Sequence, residues 1–435
     1  MLKRLIFIAL FTGAGQLFSV FILKFISGRG SEEQVAALAQ ADSLLFFLIN
    51  FIAMGLQSAV MRTVALEPNW HESYRAAQSA RLMLSLLILP FAFLTWFNPA
   101  YIIFLVAPFL ALSGDYALYS LGQPVRGAAL AFFRTVIPFA LATVAVLHYP
   151  GQLVQLFVLG LLLAYLISDL YISRYIKQPM FLRPRTDRLM LYVKSIPLGV
   201  VNLSIYFLGP GLLLIIPFIY SDDIVVVSFI GIKFYFIFKG VIRIMHQAFV
   251  REMKDQRVCL QVDQLSMIAG LAFIGATVFF PDAFIEFFFG VQFSSHQPFF
   301  LLLGVSAIIS SFGYSQTTYL MLQERDKIYC MVSVIGALTA VLVIWLLSFS
   351  SVSSINVGWG LLAGECSFVI GMFLLVNNFT VVYQRFIYLL RCLPFLLIPY
   401  AARFCIGDAF VAFVAGITVF SATLFLVNFK KFRLI

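Results

Sequence analysis

Charged residues are scarce in this sequence. Asp, Glu, Lys and Arg make up 11% of the 435 residues, whereas hydrophobic residues make up 62%. A soluble domain carries about 25% charged residues, so this composition excludes a soluble globular protein. Hydrophobic runs of about 18 or more residues, long enough to cross a bilayer, recur along the whole chain. The sequence predicts an all-α polytopic membrane protein with about 14 transmembrane helices.

Residues that carry catalytic or metal chemistry are also few. The five cysteines and four histidines are dispersed, and no group of them has the spacing of metal ligands. The G-x-x-x-x-G-K-[ST] phosphate loop is absent, so we expect no ATP hydrolysis by this chain alone. A membrane enzyme of glycan assembly is disfavoured, because paired carboxylates, a histidine cluster and an external domain are all lacking. We expect no cofactor, no metal and no catalytic residue.

The basic residues indicate the orientation of the chain. Most of the 29 Lys and Arg residues fall on one side of the predicted spans, and the other side holds only Lys24, Arg29 and Arg403. Cytoplasmic loops carry the excess of Lys and Arg, so both termini are predicted to be cytoplasmic. Membrane topology explains most of the net charge of +10, so a nucleic-acid partner is not implied. Membrane lipids are the expected partners of the apolar spans.

A sequence pattern near residues 31–62 recurs at residues 221–251. Each copy starts with a small residue and two acids, continues through a long apolar segment and closes on a basic residue. Because an even number of spans separates the copies, both cross the membrane in the same direction. We predict two six-helix bundles, 1–173 and 191–376, as a parallel repeat. A basic cytoplasmic linker (174–190) joins them, and an extra helix pair with a basic tail follows (377–435).

The acidic turn, the small and polar residues Gly55, Ser58 and Ala59 of the second span, and the basic stop at Arg62 resemble the start of Wzx-type polysaccharide flippases. These belong to the multidrug/oligosaccharidyl-lipid/polysaccharide exporter superfamily. The extra helix pair is similar to that of the lipid II flippase. The resemblance implies a V-shaped two-bundle fold in a bacterial inner membrane. It also implies alternating access for a polyprenyl-diphosphate-linked oligosaccharide, such as an O-antigen, capsule or exopolysaccharide unit. A polysaccharide polymerase and a chain-length regulator are partners compatible with that function.

Four basic residues within predicted spans are candidates for a binding site, because a charge there is costly unless it faces protein or water. Lys233, Lys239 and Arg243 lie on the eighth span (224–250), and Arg134 lies on the fifth (127–147). In the functional interpretation they line a cationic cavity that attracts a diphosphate and acidic sugars. In the alternative, Arg243 and Arg134 extend to lipid headgroups, and a structural carboxylate neutralises Lys233.

Four acids also lie within the predicted spans. Glu365 lies near mid-membrane, where it is expected either to pair with Lys233 as a structural clamp or to exchange a proton during transport. It follows three closely spaced glycines that permit close approach of another helix, Gly358, Gly360 and Gly364. Asp115 is a candidate partner for Arg134. Asp42 is a third candidate, with Glu365 and Asp115, for ion coupling or an ion pair. Asp42 and Asp169 lie nearer the ends of their spans, where a solvated position is expected.

Gly209, Pro210 and Gly211 interrupt the seventh span (193–219). Proline removes an internal hydrogen bond and glycine lowers the cost of bending a helix. The pattern predicts a hinge there.

The alternative function is a drug or cation antiporter of the same superfamily. The three bases of the eighth span favour an anionic cargo instead. The sequence does not distinguish which glycan is carried, or whether transport is coupled to H⁺, Na⁺ or the membrane potential.

Overall fold

The structure is a computed structural model that describes residues 2–250, 253, 255–376 and 379–432. Within these ranges the chain consists of α-helices and short 3-10 helices, and it contains no β-strand. Over the same residues, eleven helices are long and apolar enough to cross a membrane, or twelve if one bent pair counts as a single span. The chain is therefore a multi-pass helical membrane protein. Helices also occupy the predicted first and eighth spans, but the number of fourteen stays a prediction.

The chain forms two compact units, Met1–Tyr206 with Gln247–Arg251, and Phe207–His246 with Glu252–Ile435. The first unit contains α1 (Leu2–Ser27), α2 (Glu32–Ala53), α3 (Leu56–Leu66), α4 (His71–Ile88), α5 (Ala107–Leu112), α6 (Asp115–Ser120), α7 (Pro124–His148), α8 (Leu153–Ile176) and α9 (Met190–Phe207). The second unit contains most of α10 (Asp222–Ala248), then α11 (Gln256–Phe279), α12 (Pro281–Phe288), α13 (Gln297–Ser311), α14 (Tyr314–Leu322), α15 (Asp326–Ser348), α16 (Ser354–Val376), α17 (Phe379–Cys392), α18 (Leu397–Cys405) and α19 (Ala409–Phe432).

The boundary between the units lies near a predicted weak point of the chain. The predicted second bundle begins at 191, yet nearly all of α9 belongs to the first unit, whose main segment runs to Tyr206. The predicted domain division and parallel repeat stay predictions. Three of the basic residues predicted to be cytoplasmic lie outside the described residues, namely Arg251, Lys254 and Arg433.

The first unit is held together by an apolar core between α2, α5, α7 and α8. Close approach of α7 and α8 depends on a glycine, because a Cβ on Gly160 would lie 2.6 Å from the Cα of Pro138. Because glycine has no side chain, α8 can approach the backbone of α7 at Pro138 directly. This packing fixes the positions of the polar side chains that α7 and α8 carry.

The second predicted span is bent by 57° between α2 and α3. The bend is made by Met54 (φ 35°) and Gly55 (φ 80°), both in the left-handed region that favours glycine. Helix α9 packs into the bend, where Ser195 donates its hydroxyl to the carbonyl of Met54 at 3.1 Å. A Cβ on Gly55 would lie 2.5 Å from the backbone N of Gly199. The contact between α9 and the bend therefore requires glycine at position 55.

In the second unit, α15 and α16 pack closely through small residues. A Cβ on Gly364 would lie 2.9 Å from the carbonyl oxygen of Gly336, so the two backbones touch, as the glycine spacing predicts. The C-terminal helices α17 and α19 pack on α11 through an apolar cluster that includes Leu271, Tyr388 and Phe420. The C-terminal helices are thus part of the core of this unit.

Candidate functional site

Three basic residues of α10 have different environments. Arg243 is exposed, Lys233 is partly exposed with its Nζ 5.8 Å from the centroid of the Phe229 ring, and Lys239 is buried. Together with Arg134, the three were predicted to line one cationic cavity. Burial removes Lys239 from any surface that a substrate can reach directly, so Lys233 and Arg243 are the accessible members of the set.

Lys239 and Glu365 form a buried ion pair between α10 and α16. The ammonium lies 2.5 Å from Oε1 of Glu365, and the two side chains are 6% and 1% exposed. Lys239 Nζ also lies 5.4 Å from the centroid of the Tyr235 ring. Glu365 was expected to pair with Lys233, but the lysine that contacts it is Lys239. The difference is a matter of helix geometry, since residues six apart on a helix face different directions.

Arg134 bridges two carboxylates in the first unit. Its Nη1 lies 3.1 Å from Oδ2 of Asp115 on α6, and its Nη2 lies 3.1 Å from Oδ1 of Asp169 on α8. The guanidinium also lies over the ring of Tyr165, 4.5 Å from its centroid. Arg134 contacts Asp115, as expected. Asp169 was expected at a solvated end, which is wrong: it is 2% exposed, because Arg134 reaches it from the neighbouring helix.

A second buried arginine lies close to this cluster. Arg81 on α4 is 4% exposed and donates to the carbonyl oxygens of Leu110 and Ser113 at 2.8 and 2.7 Å. The span that contains α5 and α6 is broken between Leu112 and Asp115, which leaves carbonyls without helical partners. Arg81 and its neighbour Gln78, which donates to the carbonyl of Leu112 at 2.8 Å, satisfy them.

A matching network stabilises a break in the second unit. The span that contains α13 and α14 is broken at Phe312 and Gly313. Asp263 on α11 accepts from the backbone N–H of Ser315 at 2.9 Å and from its hydroxyl at 2.6 Å. Arg385 on α17 donates to the same carboxylate from Nε at 2.7 Å. Both charged side chains are fully buried.

Sequence reasoning missed Arg81, Arg385 and Asp263. The two arginines lie near the ends of predicted spans and were counted among the cytoplasmic basic residues. The available signal was the glycine in each interrupted span, Gly114 and Gly313, since a broken helix inside a membrane needs nearby polar side chains.

The remaining predicted residues are placed as follows. Asp42 is 6% exposed on α2, so the expected solvated position is wrong. At the predicted hinge, α9 ends at Phe207, and the chain continues through Gly209 as two short 3-10 helices, Pro210–Leu214 and Ile216–Phe218. The helix is thus interrupted where glycine and proline predict it, and movement at this point stays a prediction.

The described part of the chain contains no group of three or more His, Cys, Asp or Glu residues that could hold a metal ion. Basic side chains in its interior contact carboxylates or broken-helix carbonyls, as Arg81, Arg134, Lys239 and Arg385 do. Such clusters can hold helices in register and exchange protons, and exposed cations can attract an anionic ligand.

No protein-family model and no curated protein sequence matches this chain. Solved structures share its fold. A lipid II flippase, MurJ, in an inward closed conformation aligns with a TM-score of 0.68 at 14% identity and covers 98% of each chain. A multidrug resistance MATE family transporter of the MOP superfamily, in an outward-facing conformation, aligns with a TM-score of 0.64 at 16% identity, over 88% of this chain and 96% of its own. A MATE protein in complex with MaL6 aligns with a TM-score of 0.63 at 14% identity, over 88% of this chain and 97% of its own.

Proposed function

We propose that this protein is a flippase of the Wzx type within the multidrug/oligosaccharidyl-lipid/polysaccharide exporter superfamily. It moves a polyprenyl-diphosphate-linked oligosaccharide across a bacterial inner membrane by alternating access, with both termini in the cytoplasm. The glycan is the repeat unit of an O-antigen, a capsule or an exopolysaccharide. A polymerase and a chain-length regulator would act on the product on the outer side.

The observation that carries this proposal is the extent of the structural likeness. The lipid II flippase aligns over 98% of this chain, whereas the MATE transporters align over 88%. In this chain the C-terminal helices are built into the second unit, because Arg385 on α17 contacts Asp263 on α11. The greater coverage supports the flippase as the first candidate. Identity of 14% carries fold alone, so the cargo is argued from charge.

The charges of the interior favour an anionic cargo. Asp115, Asp169, Asp263 and Glu365 each contact a basic side chain, and this contact reduces their attraction for a cationic drug. The exposed Arg243 and partly exposed Lys233 of α10 supply positive charge that a diphosphate can approach. We propose these two residues as the anion-attracting positions, with Lys239 and Arg134 each supporting helices of its own unit.

A drug or cation antiporter is the second candidate. The fold shared with MATE transporters favours it. The two functions predict opposite cargo charges, so they differ in which ligand crosses the membrane and in the effect of neutralising Arg243.

The test is deletion of the gene in the bacterium that carries it. If the protein is a flippase, the deletion strain should lose one surface polysaccharide and accumulate its lipid-linked repeat unit on the cytoplasmic side. An added glycosidase should digest that unit only after the inner membrane has been permeabilised. Complementation with the wild-type gene should restore both. Intact surface glycans together with greater sensitivity to cationic drugs would contradict the proposal and support the antiporter.

A further inference from the structure

The Asp115–Arg134–Asp169 cluster contains more acidic side chains than basic ones in direct contact. One guanidinium is shared by two carboxylates. Oδ2 of Asp169 and Nε of Arg134 are both buried and have no hydrogen-bond partner. Asp115 differs, because Ser113 donates to its Oδ1 at 3.1 Å. One carboxylate oxygen in the membrane interior therefore lacks any donor.

The second unit provides an internal comparison. Lys239 contacts one carboxylate, Glu365, and Arg385 contacts one carboxylate, Asp263. Both oxygens of Asp263 accept hydrogen bonds from Ser315. The unequal cluster of the first unit is thus a specific feature, rather than the general way in which this chain buries carboxylates.

We propose that the Asp115–Arg134–Asp169 cluster is a proton-binding site, in which one proton is held on the Asp169 carboxylate. An ionised carboxylate oxygen buried without a donor is costly, whereas a protonated carboxyl carries no net charge to desolvate. The bound proton leaves Arg134 and Asp115 as a one-to-one pair. The reaction is a simple transfer, in which hydronium gives its proton to the carboxylate and becomes water, and release reverses it.

The groups that face Asp169 come from four helices. Arg134 on α7 contacts Asp169, and Asp115 on α6 contacts Arg134. Tyr165 lies on α8 itself, and Arg81 and Tyr74 approach from α4. Arg81 opposes protonation by its charge. However, its Nη atoms donate to the carbonyls of the broken span and to Gln78, so no hydrogen bond from Arg81 reaches Oδ2 of Asp169.

Asp115 is the residue through which a proton would enter, because its side chain is 23% exposed whereas that of Asp169 is 1% exposed. Asp169 lies seven residues before the end of α8, which is about 10 Å along the helix axis. A proton can therefore reach Asp115 and pass to Asp169 within one cluster. A metal cation fits less well, because a hard cation takes about six oxygen ligands and the guanidinium of Arg134 occupies the space between the two carboxylates.

The use of this site for energy coupling rests on the transport function proposed above, but proton binding itself does not. It can be measured on the purified full-length protein in lipid, by infrared difference spectroscopy between mildly acidic and mildly alkaline buffers. A protonated carboxyl gives a C=O stretching band that an ionised carboxylate lacks. The variants are Asp169→Asn, which keeps an oxygen for Arg134, and Asp115→Asn, with Glu365→Gln as the control.

The expected result is a carboxylic-acid band in the wild type and in Glu365→Gln. The band should be lost in Asp169→Asn and shifted in Asp115→Asn, because the proton and the guanidinium are shared. Asp115 is partly exposed, so its variant serves if Asp169→Asn does not fold. Absence of the band in the wild type, or identical bands in the wild type and both aspartate variants, overturns the proposal. Displacement of the band by sodium in place of choline also overturns it, in favour of a metal-cation site. None of these outcomes depends on whether the protein moves a glycan.

Discussion

The ammonium of Lys239 lies 2.5 Å from a carboxylate oxygen of Glu365, with both side chains almost fully buried. This contact joins α10 to α16 within the second unit. The contact is compatible with the structural-clamp role, one of the two roles expected for Glu365 from the sequence, with Lys239 as the partner. The choice between a clamp and a proton carrier stays a prediction.

Glu365→Gln should destabilise the protein by about 3–5 kcal/mol, because it leaves the ammonium of Lys239 buried without its counter-charge. Combining Glu365→Gln with Lys239→Met removes both charges and should recover most of that loss. The free energy of unfolding, measured on purified protein in detergent, checks the prediction.

The matched control is Glu365→Gln combined with Lys233→Met. It should be as unstable as Glu365→Gln alone, and recovery by Lys233→Met instead of Lys239→Met would contradict the pairing. Lys239→Ala also removes one charge of the buried pair and leaves Glu365 without its partner. The buried pair now predicts a lower level for that variant.

Arg385→Met should destabilise the second unit by about 3–5 kcal/mol, since it removes one member of a fully buried pair with Asp263. Arg385→Lys should recover only a part, because Arg385 donates from two nitrogens, Nε and Nη2, in a fork that lysine lacks. Thermal unfolding measures both. Arg391→Lys, at an exposed position of the same helix, is the control, and equal effects at the two positions would contradict the account.

Gly55→Ala should weaken the contact between α9 and the bend of the second span. The left-handed backbone costs alanine about 1–2 kcal/mol, and overpacking against Gly199 adds about 1–3 kcal/mol. Gly13→Ala is the control, because a Cβ at position 13 would have no atom within 4 Å. The measurement is the thermal unfolding temperature of each variant. Equal unfolding temperatures would contradict the close contact between Gly55 and α9.

The sequence predicted the helical fold because apolar runs and glycine spacing are local signals. It also identified Glu365 and the contact between Arg134 and Asp115. It missed Arg81 and Arg385, because a basic residue near the end of a span looks the same whether it enters a loop or turns inward. Their partners lie far away in sequence, and no local pattern connects Arg385 with Asp263. The choice between Lys233 and Lys239 depended on helix rotation, which hydropathy does not fix.

Arg243→Ala should lower transport of an anionic glycan severalfold without a change in unfolding, because Arg243 is exposed. Arg243→Lys should keep more activity, since the charge is retained. The control is Arg257→Ala, which removes an exposed cation from the start of α11. Surface polysaccharide in cells that express each variant at equal level provides the measurement. Equal activity of all three variants would show that charge at position 243 does not attract the cargo.

The most direct test of flippase activity uses the purified protein in sealed lipid vesicles. Labelled lipid-linked oligosaccharide, extracted from cells that lack the gene, is placed in one leaflet, and its appearance in the other leaflet is followed with a membrane-impermeant quencher. If the protein is a flippase, this lipid should move between the leaflets in vesicles that contain the protein and not in protein-free vesicles. The movement should be slower with Arg243→Ala. Vesicles that take up a cationic drug such as ethidium through the protein, while the lipid-linked glycan stays in its original leaflet, would contradict flippase activity.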